Sequence, residues 1–156
     1  MKSEDVIRFR EDICITSDIF TTLCGNFIGE GATRCVFEHN LDNRFVVKVA
    51  ICPAGVRANI IEHEVWKEVE GLTRNLEWVK DWFAPVIYIS ENGNVLIMRK
   101  TEIKPNKKKP NQVPKFLLDC YERNFGWIGN KYVCHDYGFI WGLLKYEKRF
   151  KRPNWA

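Results

Sequence analysis

The segment that decides the fold is "GNFIGEGATRCVFEHNLDNRFVVKVA", residues 25–50. Its first half carries two glycines between two short apolar runs, which predicts a glycine-bearing β-hairpin. The turn residues "LDN" then lead into a third strand, "RFVVKVA". Because side chains alternate between the two faces of a strand, Lys48 shares a face with Val46 and Ala50. A lysine among small apolar side chains is unusual there and requires a reason.

Downstream of this segment, the pattern indicates a helix and then short strands. Pro53 and Gly55 end the third strand, and the apolar spacing over residues 59–76 predicts an amphipathic helix. Two strands follow over residues 85–90 and 94–100, and the Asn-Gly dipeptide between them is a strong hairpin signal.

The remainder of the chain begins with a loop and contains a second hairpin. Three prolines and four lysines in residues 101–114 predict a linker or crossing loop. The segment "FGWIGNKYVCHDYG", residues 125–138, predicts a hairpin that turns at Gly129–Asn130.

Length and composition are those of one globular domain. Apolar residues make up 46% of the 156 residues, which is enough to bury a core at this length. No run approaches the ~18 to 20 apolar residues of a membrane-spanning helix. The charged start "MKSEDVIRFRED" lacks the apolar stretch of a signal peptide, so we expect a cytoplasmic protein. Six cysteines without a CxxC pair indicate reduced thiols and argue against a thiolate metal site.

Positive charge is concentrated in two stretches. Residues 100–115 hold six lysines against one glutamate, and residues 145–152 hold five basic residues against one glutamate. Either these are a solvated loop and a solvated tail, or they meet an acidic partner or nucleic acid. The sequence leaves both interpretations open.

Taken in order, these pieces resemble the signature set of the protein-kinase-like family. The order is a glycine hairpin, a strand lysine, a helix glutamate, a β-hairpin with a hinge, D-x-x-x-x-N and D-Y-G. The resemblance implies an α+β fold. A small lobe with a twisted antiparallel sheet, one main helix and the hinge would occupy residues 1–102. A truncated large-lobe remnant with a β-hairpin would occupy residues 103–156, packed with the first part as one globular unit.

In this resemblance the first half of the chain holds a nucleotide. Gly29 and Gly31 correspond to the loop that covers the phosphates, and Val36 would pack on the adenine. Arg34 stands where the family has its third glycine, so the loop is either stiffer or uses the guanidinium on phosphate. Lys48 would contact the α- and β-phosphates.

Two glutamates compete for the role of holding this lysine. Glu62 lies on the helix face that carries Val65 and Val69, whereas Glu64 is about 200° away around the helix and should face water. We therefore expect Glu62 to take the role. The alternative for Glu62 is a capping box with Asn59 three residues earlier, which needs no ligand.

The resemblance assigns the remaining chemistry to the second half. Asp136, in Asp136-Tyr137-Gly138, would hold Mg²⁺ across the phosphates of ATP, and Asn124 would hold a second ion. Asp119, five residues before Asn124, would accept the proton of an attacking hydroxyl. Carboxylate and amide oxygens suit Mg²⁺, and phosphoryl transfer is chiefly positioning and charge neutralisation. The sequence leaves open whether Asp119 lies in a catalytic loop or at the end of a helix.

Departures from the family decide the expected activity. Leu117 and Leu118 replace the histidine and arginine before the catalytic aspartate, and the eighteen residues after Gly138 leave no room for a substrate-binding half. Without substrate positioning most of the rate enhancement is lost. We therefore expect a weak phosphotransferase or a pseudokinase. The compact motif order resembles that of small kinase-like proteins of bacteriophage and bacteria, which implies the host cytoplasm and a role against a host protein for a phage source.

Two other classes of function remain. The chain could be an interaction or inhibitor protein that keeps the kinase-like fold without a nucleotide, or a nucleic-acid-binding module that uses the basic stretches 100–115 and 145–152. A protein partner or self-association is compatible with each class, because a small lobe without its large lobe leaves apolar surface to cover.

Overall fold

The computed structural model describes residues 17–140 and 147–156. These residues divide into two compact units, neither of which is a single stretch of sequence. Unit 1 comprises the chain up to Ile60 together with Val86–Arg99, and unit 2 comprises Ile61–Pro85 together with Lys100–Ala156. The start of the basic stretch 145–152 lies outside the described residues.

Unit 1 is built on an antiparallel sheet. Its strands are β1 (Cys24–Glu30), β2 (Arg34–His39), β3 (Phe45–Ala50), β4 (Val86–Ile89) and β5 (Val95–Arg99). The spatial order is β1-β2-β3-β5-β4, so β3 is the central strand. The Asn-Gly turn between β4 and β5 forms as predicted, with Gly93 at φ 72°. A short helix, α1 (Ser17–Leu23), precedes the sheet and was not predicted.

One face of the sheet carries the core of unit 1. Five buried side chains form it, with four half-buried ones packed around them: Cys35, Phe37, Val47, Val49 and Val95, then Phe20, Leu23, Cys24 and Ile51. The rings of Phe20 and Phe37 meet edge to face at 5.1 Å. Since Val47 and Val49 face this core, Lys48 between them faces the other side of the sheet, as its alternation predicts.

The main helix, α2 (Pro53–Glu70), begins and ends six residues earlier than predicted. Proline is well tolerated in a first helical turn, because its missing N–H has no intrahelical partner there. Gly71 follows the last helical residue, and the chain then forms a 3₁₀ helix over Arg74–Trp82. The expectation that one helix continues to residue 76 is therefore wrong. Residues 53–60 of α2 belong to unit 1 and residues 61–70 to unit 2.

Unit 2 contains the predicted second hairpin, β7 (Phe125–Ile128) and β8 (Lys131–Cys134), turning at Gly129 with φ 59°. Two further strands, β6 (Val113–Pro114) and β9 (Phe150–Lys151), pair antiparallel. A 3₁₀ turn, Glu122–Asn124, leads directly into β7.

Aromatic side chains fill the interior of unit 2. The ring of Phe83 stacks on Phe116 at 5.8 Å and meets Tyr137 edge to face at 5.0 Å. The Tyr137 hydroxyl donates to the carbonyl oxygen of Ala84 at 2.7 Å. An antiparallel sheet with one main helix and a separate β-hairpin confirms the predicted α+β class.

Candidate functional site

The glycine-bearing turn between β1 and β2 has room above it. Gly29 pairs with Val36 in the sheet, and the N–H of Gly31 donates to the carbonyl oxygen of Arg34 at 2.9 Å. A Cβ built on Gly29 or Gly31 would meet no described atom within 4 Å, and neither glycine has a positive φ. The fold therefore does not itself require glycine at these positions, whereas a ligand lying close to the backbone would.

Lys48 is held on the central strand between two neighbours. It pairs with Val36 on β2 and with Leu96 on β5. Its exposed fraction is only 5%, and a lysine is almost never buried to that extent without a charged or polar partner. The sheet thus presents a cation on the face opposite the core of unit 1.

Arg34 does not point freely into solvent. It is 6% exposed, and its Nη1 donates to Oδ1 of Asn59 at 3.2 Å. The same amide donates through Nδ2 to the carbonyl oxygens of Gly93 at 2.9 Å and Asn94 at 3.3 Å. Asn59 therefore joins the end of the glycine turn to the β4–β5 turn, which favours the stiffer-loop interpretation of Arg34.

Asn59 is the seventh residue of α2, so it cannot cap the helix, and the capping box with Glu62 is wrong. Its role as a hydrogen-bonding centre was not predicted. A signal was available, because Asn59 lies three residues before Glu62 on the same helix face.

Glu62 is fully buried in unit 2, whereas Glu64 is exposed, as predicted. The Oε1 atom of Glu62 accepts the backbone N–H of Tyr137 at 3.1 Å. A buried carboxylate needs such donors, since an uncompensated buried charge is costly. Glu62 is thus bound to the Asp-Tyr-Gly segment itself.

Asp119 and Asn124 lie in one irregular segment ahead of the hairpin. Asp119 is exposed and lies outside any helix, so it does not end a helix, and its place in a catalytic loop stays a prediction. The buried amide of Asn124 donates through Nδ2 to the carbonyl oxygen of Asp119 at 3.2 Å. This bond leaves the amide oxygen of Asn124 as the atom that could meet a cation.

Asp136 follows β8 and is half-buried. Its backbone oxygen accepts a hydrogen bond from Sγ of Cys134 at 3.3 Å. Asp119 and Asp136 line the same cleft of unit 2, with apolar side chains that include Leu118 and Phe139. The cleft measures only about 20 Å³, which is room for one water molecule.

A metal site made wholly of protein groups is absent from residues 17–140 and 147–156, where no three His, Cys, Asp or Glu side chains cluster suitably. Magnesium is commonly bound through one or two carboxylates together with substrate phosphates, so this finding does not conflict with the predicted ligands. Asp136 supplies a carboxylate and Asn124 an amide oxygen, and both are hard oxygen donors that fit Mg²⁺.

Cys120, next to the candidate base Asp119, is a buried thiol with low reactivity. Burial raises the pKa of the Cys120 thiol, and its Sγ donates to the carbonyl oxygen of Leu117 at 3.0 Å. The nucleophilic and metal-binding form of cysteine is the thiolate, which a raised pKa disfavours.

Several lysines of the stretch 100–115 are bound within unit 2. The Nζ atoms of Lys104 and Lys107 both donate to the carbonyl oxygen of Gly129 at 3.2 Å. Lys107 also lies 4.1 Å from the ring centroid of Trp127, and Lys109 pairs with Glu122. These contacts give the loop a structural role, and binding of nucleic acid by this stretch stays a prediction.

Each unit thus gathers part of the predicted set. Unit 1 holds Gly29, Gly31, Val36 and Lys48, and unit 2 holds Glu62, Asp119, Asn124 and Asp136. Within the described parts of the chain, no helix combines the length and apolar character needed to cross a membrane.

Comparison with known proteins gives structural matches only. Neither a protein-family model nor a curated protein matches the sequence. The structure is similar to that of aminoglycoside phosphotransferase APH(2'')-Ib with ADP bound, at a TM-score of 0.39 and 18% identity over 67% of this chain and 30% of that chain. The ternary complex of APH(2'')-IIa with streptomycin and ATP gives the same four values.

A third structure, the gentamicin complex of APH(2'')-IIa, matches at a TM-score of 0.37 and 19% identity over 67% of this chain and 29% of that chain. The chain spans about 30% of the length of the proteins it matches.

Proposed function

We propose that this chain is a minimal kinase-like protein that binds Mg²⁺·ATP and transfers phosphate weakly or not at all. The observation that carries the proposal is the hydrogen bond between the fully buried carboxylate of Glu62 and the backbone N–H of Tyr137. It ties the helix glutamate to the Asp-Tyr-Gly segment. A glutamate is almost never fully buried unless its carboxylate is paired, and here the partner lies in the segment predicted to bind Mg²⁺.

Unit 1 supports the phosphate-binding half of the proposal. Gly29, near the end of β1, and Gly31, in the turn that follows, have no described atom within 4 Å of where a Cβ would lie. Backbone N–H groups in such a turn can donate to phosphate oxygens. Lys48 supplies a positive charge on a rigid central strand, where a fixed cation binds phosphate at little cost in side-chain entropy.

Unit 2 supports the metal-binding half. Asp136 and the amide oxygen of Asn124 would hold Mg²⁺, which when bound neutralises charge on the phosphates. Asn124 is fixed by its own bond to the Asp119 carbonyl oxygen. Asp119 carries its carboxylate in the solvent-exposed loop, where it can accept a proton from a hydroxyl.

Weak transfer follows from the surroundings of Asp119. Leu117 is buried and Leu118 is exposed, so neither neighbour supplies a hydrogen bond or a charge to a substrate. The cleft shared by Asp119 and Asp136 holds no more than a water molecule. Orientation of the acceptor would therefore depend on a partner's surface or a very small substrate.

Thermal unfolding with and without Mg²⁺·ATP tests the proposal. Nucleotide at one hundred times its dissociation constant stabilises the folded state by about 2.7 kcal/mol, or roughly 5 to 10 °C for a domain of this size. Lys48→Met keeps the aliphatic stem and removes the charge, so we expect it to abolish most of that shift. Lys108→Met, at an exposed loop position, is the matched control and should retain it.

An unchanged melting temperature of the wild-type protein in saturating Mg²⁺·ATP would overturn the proposal. A shift of equal size in Lys48→Met and wild type would show that nucleotide binds elsewhere.

A second candidate function is an interaction protein that keeps the kinase-like fold and needs no nucleotide. The exposed apolar side chains of unit 2 favour it: Leu118 is 60% exposed, Tyr121 49% and Phe139 53%. Leu118 and Phe139 line the same cleft, and contiguous exposed apolar surface marks sites of protein contact. A host protein or a second copy of the chain would then cover them, and analytical ultracentrifugation of Leu118→Ser against wild type would detect the second case.

A further inference from the structure

His135 makes three hydrogen bonds directly before Asp136. Its backbone N–H donates to the carbonyl oxygen of Asn124 at 2.8 Å. Its ring Nε2 lies 3.0 Å from the carbonyl oxygen of Arg123, and its ring Nδ1 lies 2.8 Å from Oγ1 of Thr101. Because a carbonyl oxygen only accepts, Nε2 must carry a proton. His135 thus connects the end of the β7–β8 hairpin, the 3₁₀ turn and the segment that follows residue 100.

The Thr101 end of this network is fixed by close packing. A Cβ on Gly126 would lie 2.5 Å from Oγ1 and 2.6 Å from Cβ of Thr101, so only glycine allows this approach. The next residue, Glu102, exchanges two backbone hydrogen bonds with Trp127, at 2.9 and 2.8 Å. The backbone at Thr101 is therefore held against β7, which keeps its hydroxyl group within reach of the imidazole.

The network touches both predicted metal ligands. Asn124 is bound through its carbonyl oxygen and adjoins Arg123, whose carbonyl oxygen binds the ring. Asp136 is the next residue after His135. Leu117, buried in the segment before Asp119, has no polar side-chain atom with which to anchor this region. His135 thus provides one polar connection between the two ligands, through its backbone N–H to Asn124 and its peptide bond to Asp136.

We propose that His135 is a positioning residue that holds Asn124 and Asp136 in the arrangement needed for the Mg²⁺ of a bound nucleotide. The role rests on the proposed function. Groups that orient metal ligands commonly contribute about 10- to 100-fold to metal affinity without touching the metal. His135 acts here through the backbone and through Thr101, and it contacts neither nucleotide nor metal itself.

Isothermal titration of ATP in excess Mg²⁺ and in excess EDTA separates this role from a general loss of folding. The quantity of interest is the ratio of the two dissociation constants. The metal-dependent gain is the dissociation constant in EDTA divided by that in Mg²⁺. We expect His135→Ala to lower this gain by about 10-fold or more, with the dissociation constant in EDTA unchanged. His135→Gln should restore much of the gain, because its amide nitrogen can still donate to the Arg123 carbonyl oxygen.

Two further variants complete the experiment. Thr101→Val keeps the shape of the side chain and removes only the hydroxyl, so an intermediate loss of the metal-dependent gain is expected. His63→Gln, a histidine of α2 outside the network, is the matched control and should behave as wild type. If His135→Ala is poorly folded, Thr101→Val and His135→Gln decide the question.

The outcomes distinguish the two proposals. Wild-type protein that binds no ATP under either condition would overturn the proposed function, and the positioning role with it. Wild-type binding together with equal losses in Mg²⁺ and EDTA for His135→Ala and Thr101→Val would overturn the positioning role alone.

Discussion

Replacing Asn59 by leucine tests the hydrogen-bonding centre of unit 1. The variant fills nearly the same volume but removes one acceptor and two donated bonds. The Asn94 carbonyl oxygen still accepts the N–H of Ala50 at 2.9 Å, so removal of its bond to Asn59 costs little stability. The Gly93 carbonyl oxygen and the Arg34 guanidinium each lose a buried partner, at about 1 to 3 kcal/mol each.

We therefore expect Asn59→Leu to lower the free energy of unfolding by about 2 to 6 kcal/mol, measured by urea denaturation with two spectroscopic probes. Asn59→Asp should be at least as damaging, because its carboxylate accepts from Arg34 but places an oxygen against the Gly93 carbonyl oxygen. Asn43→Leu, at an exposed turn position, is the control and should change stability by no more than about 0.5 kcal/mol.

A free energy of unfolding for Asn59→Leu within about 0.5 kcal/mol of wild type would refute this reasoning. It would mean that both buried groups find other partners once the amide is gone.

Three other changes give measurable effects. Gly55→Ala would place a Cβ 2.1 Å from the carbonyl oxygen of Thr33, so we expect urea denaturation to show a free energy of unfolding lower by about 3 kcal/mol or more. Gly71→Ala, whose Cβ meets only ordinary contacts, is the control and should be tolerated. Burial raises the pKa of Tyr132 to about 12, so the unfolded state loses its proton first and stability should fall between about pH 10 and 12, less steeply in Tyr132→Phe. Lys107→Met removes the contacts of the Lys107 ammonium group with the Gly129 carbonyl oxygen and the Trp127 ring. We expect the free energy of unfolding to fall by about 1 kcal/mol, which calorimetry would detect as a lower melting temperature. An unchanged melting temperature would show that these contacts do not contribute to stability.

Local pattern determined the elements of this protein. Alternation in "FVVKVA" fixed which face of the strand Lys48 occupies, and the Asn-Gly and Gly-Asn dipeptides fixed both hairpin turns. The apolar stripe of the main helix identified Glu62 as the inward-facing glutamate. These features depend on neighbours in sequence, on period 2 or 3.6, and on the φ preference of glycine, all of which a single sequence displays.

Helix ends were less well determined. Pro53 and Gly55 were predicted to end a strand, whereas in the structure they lie in the first turn of α2. Proline and glycine are common both in turns and in the first turn of a helix, so the local sequence does not distinguish the two, and packing decides which forms. At Gly55 the deciding contact is the backbone of Thr33, which is distant in sequence.

The hydrogen-bonding partners were decided by tertiary structure alone. Asn59 binds groups 25 to 35 residues away, and His135 binds Thr101 across 34 residues. No local propensity encodes such pairs, because a buried polar group only finds its partner once the chain has folded around it. The sequence by itself thus determined which residues carry the candidate chemistry, and only the fold decided what holds them in place.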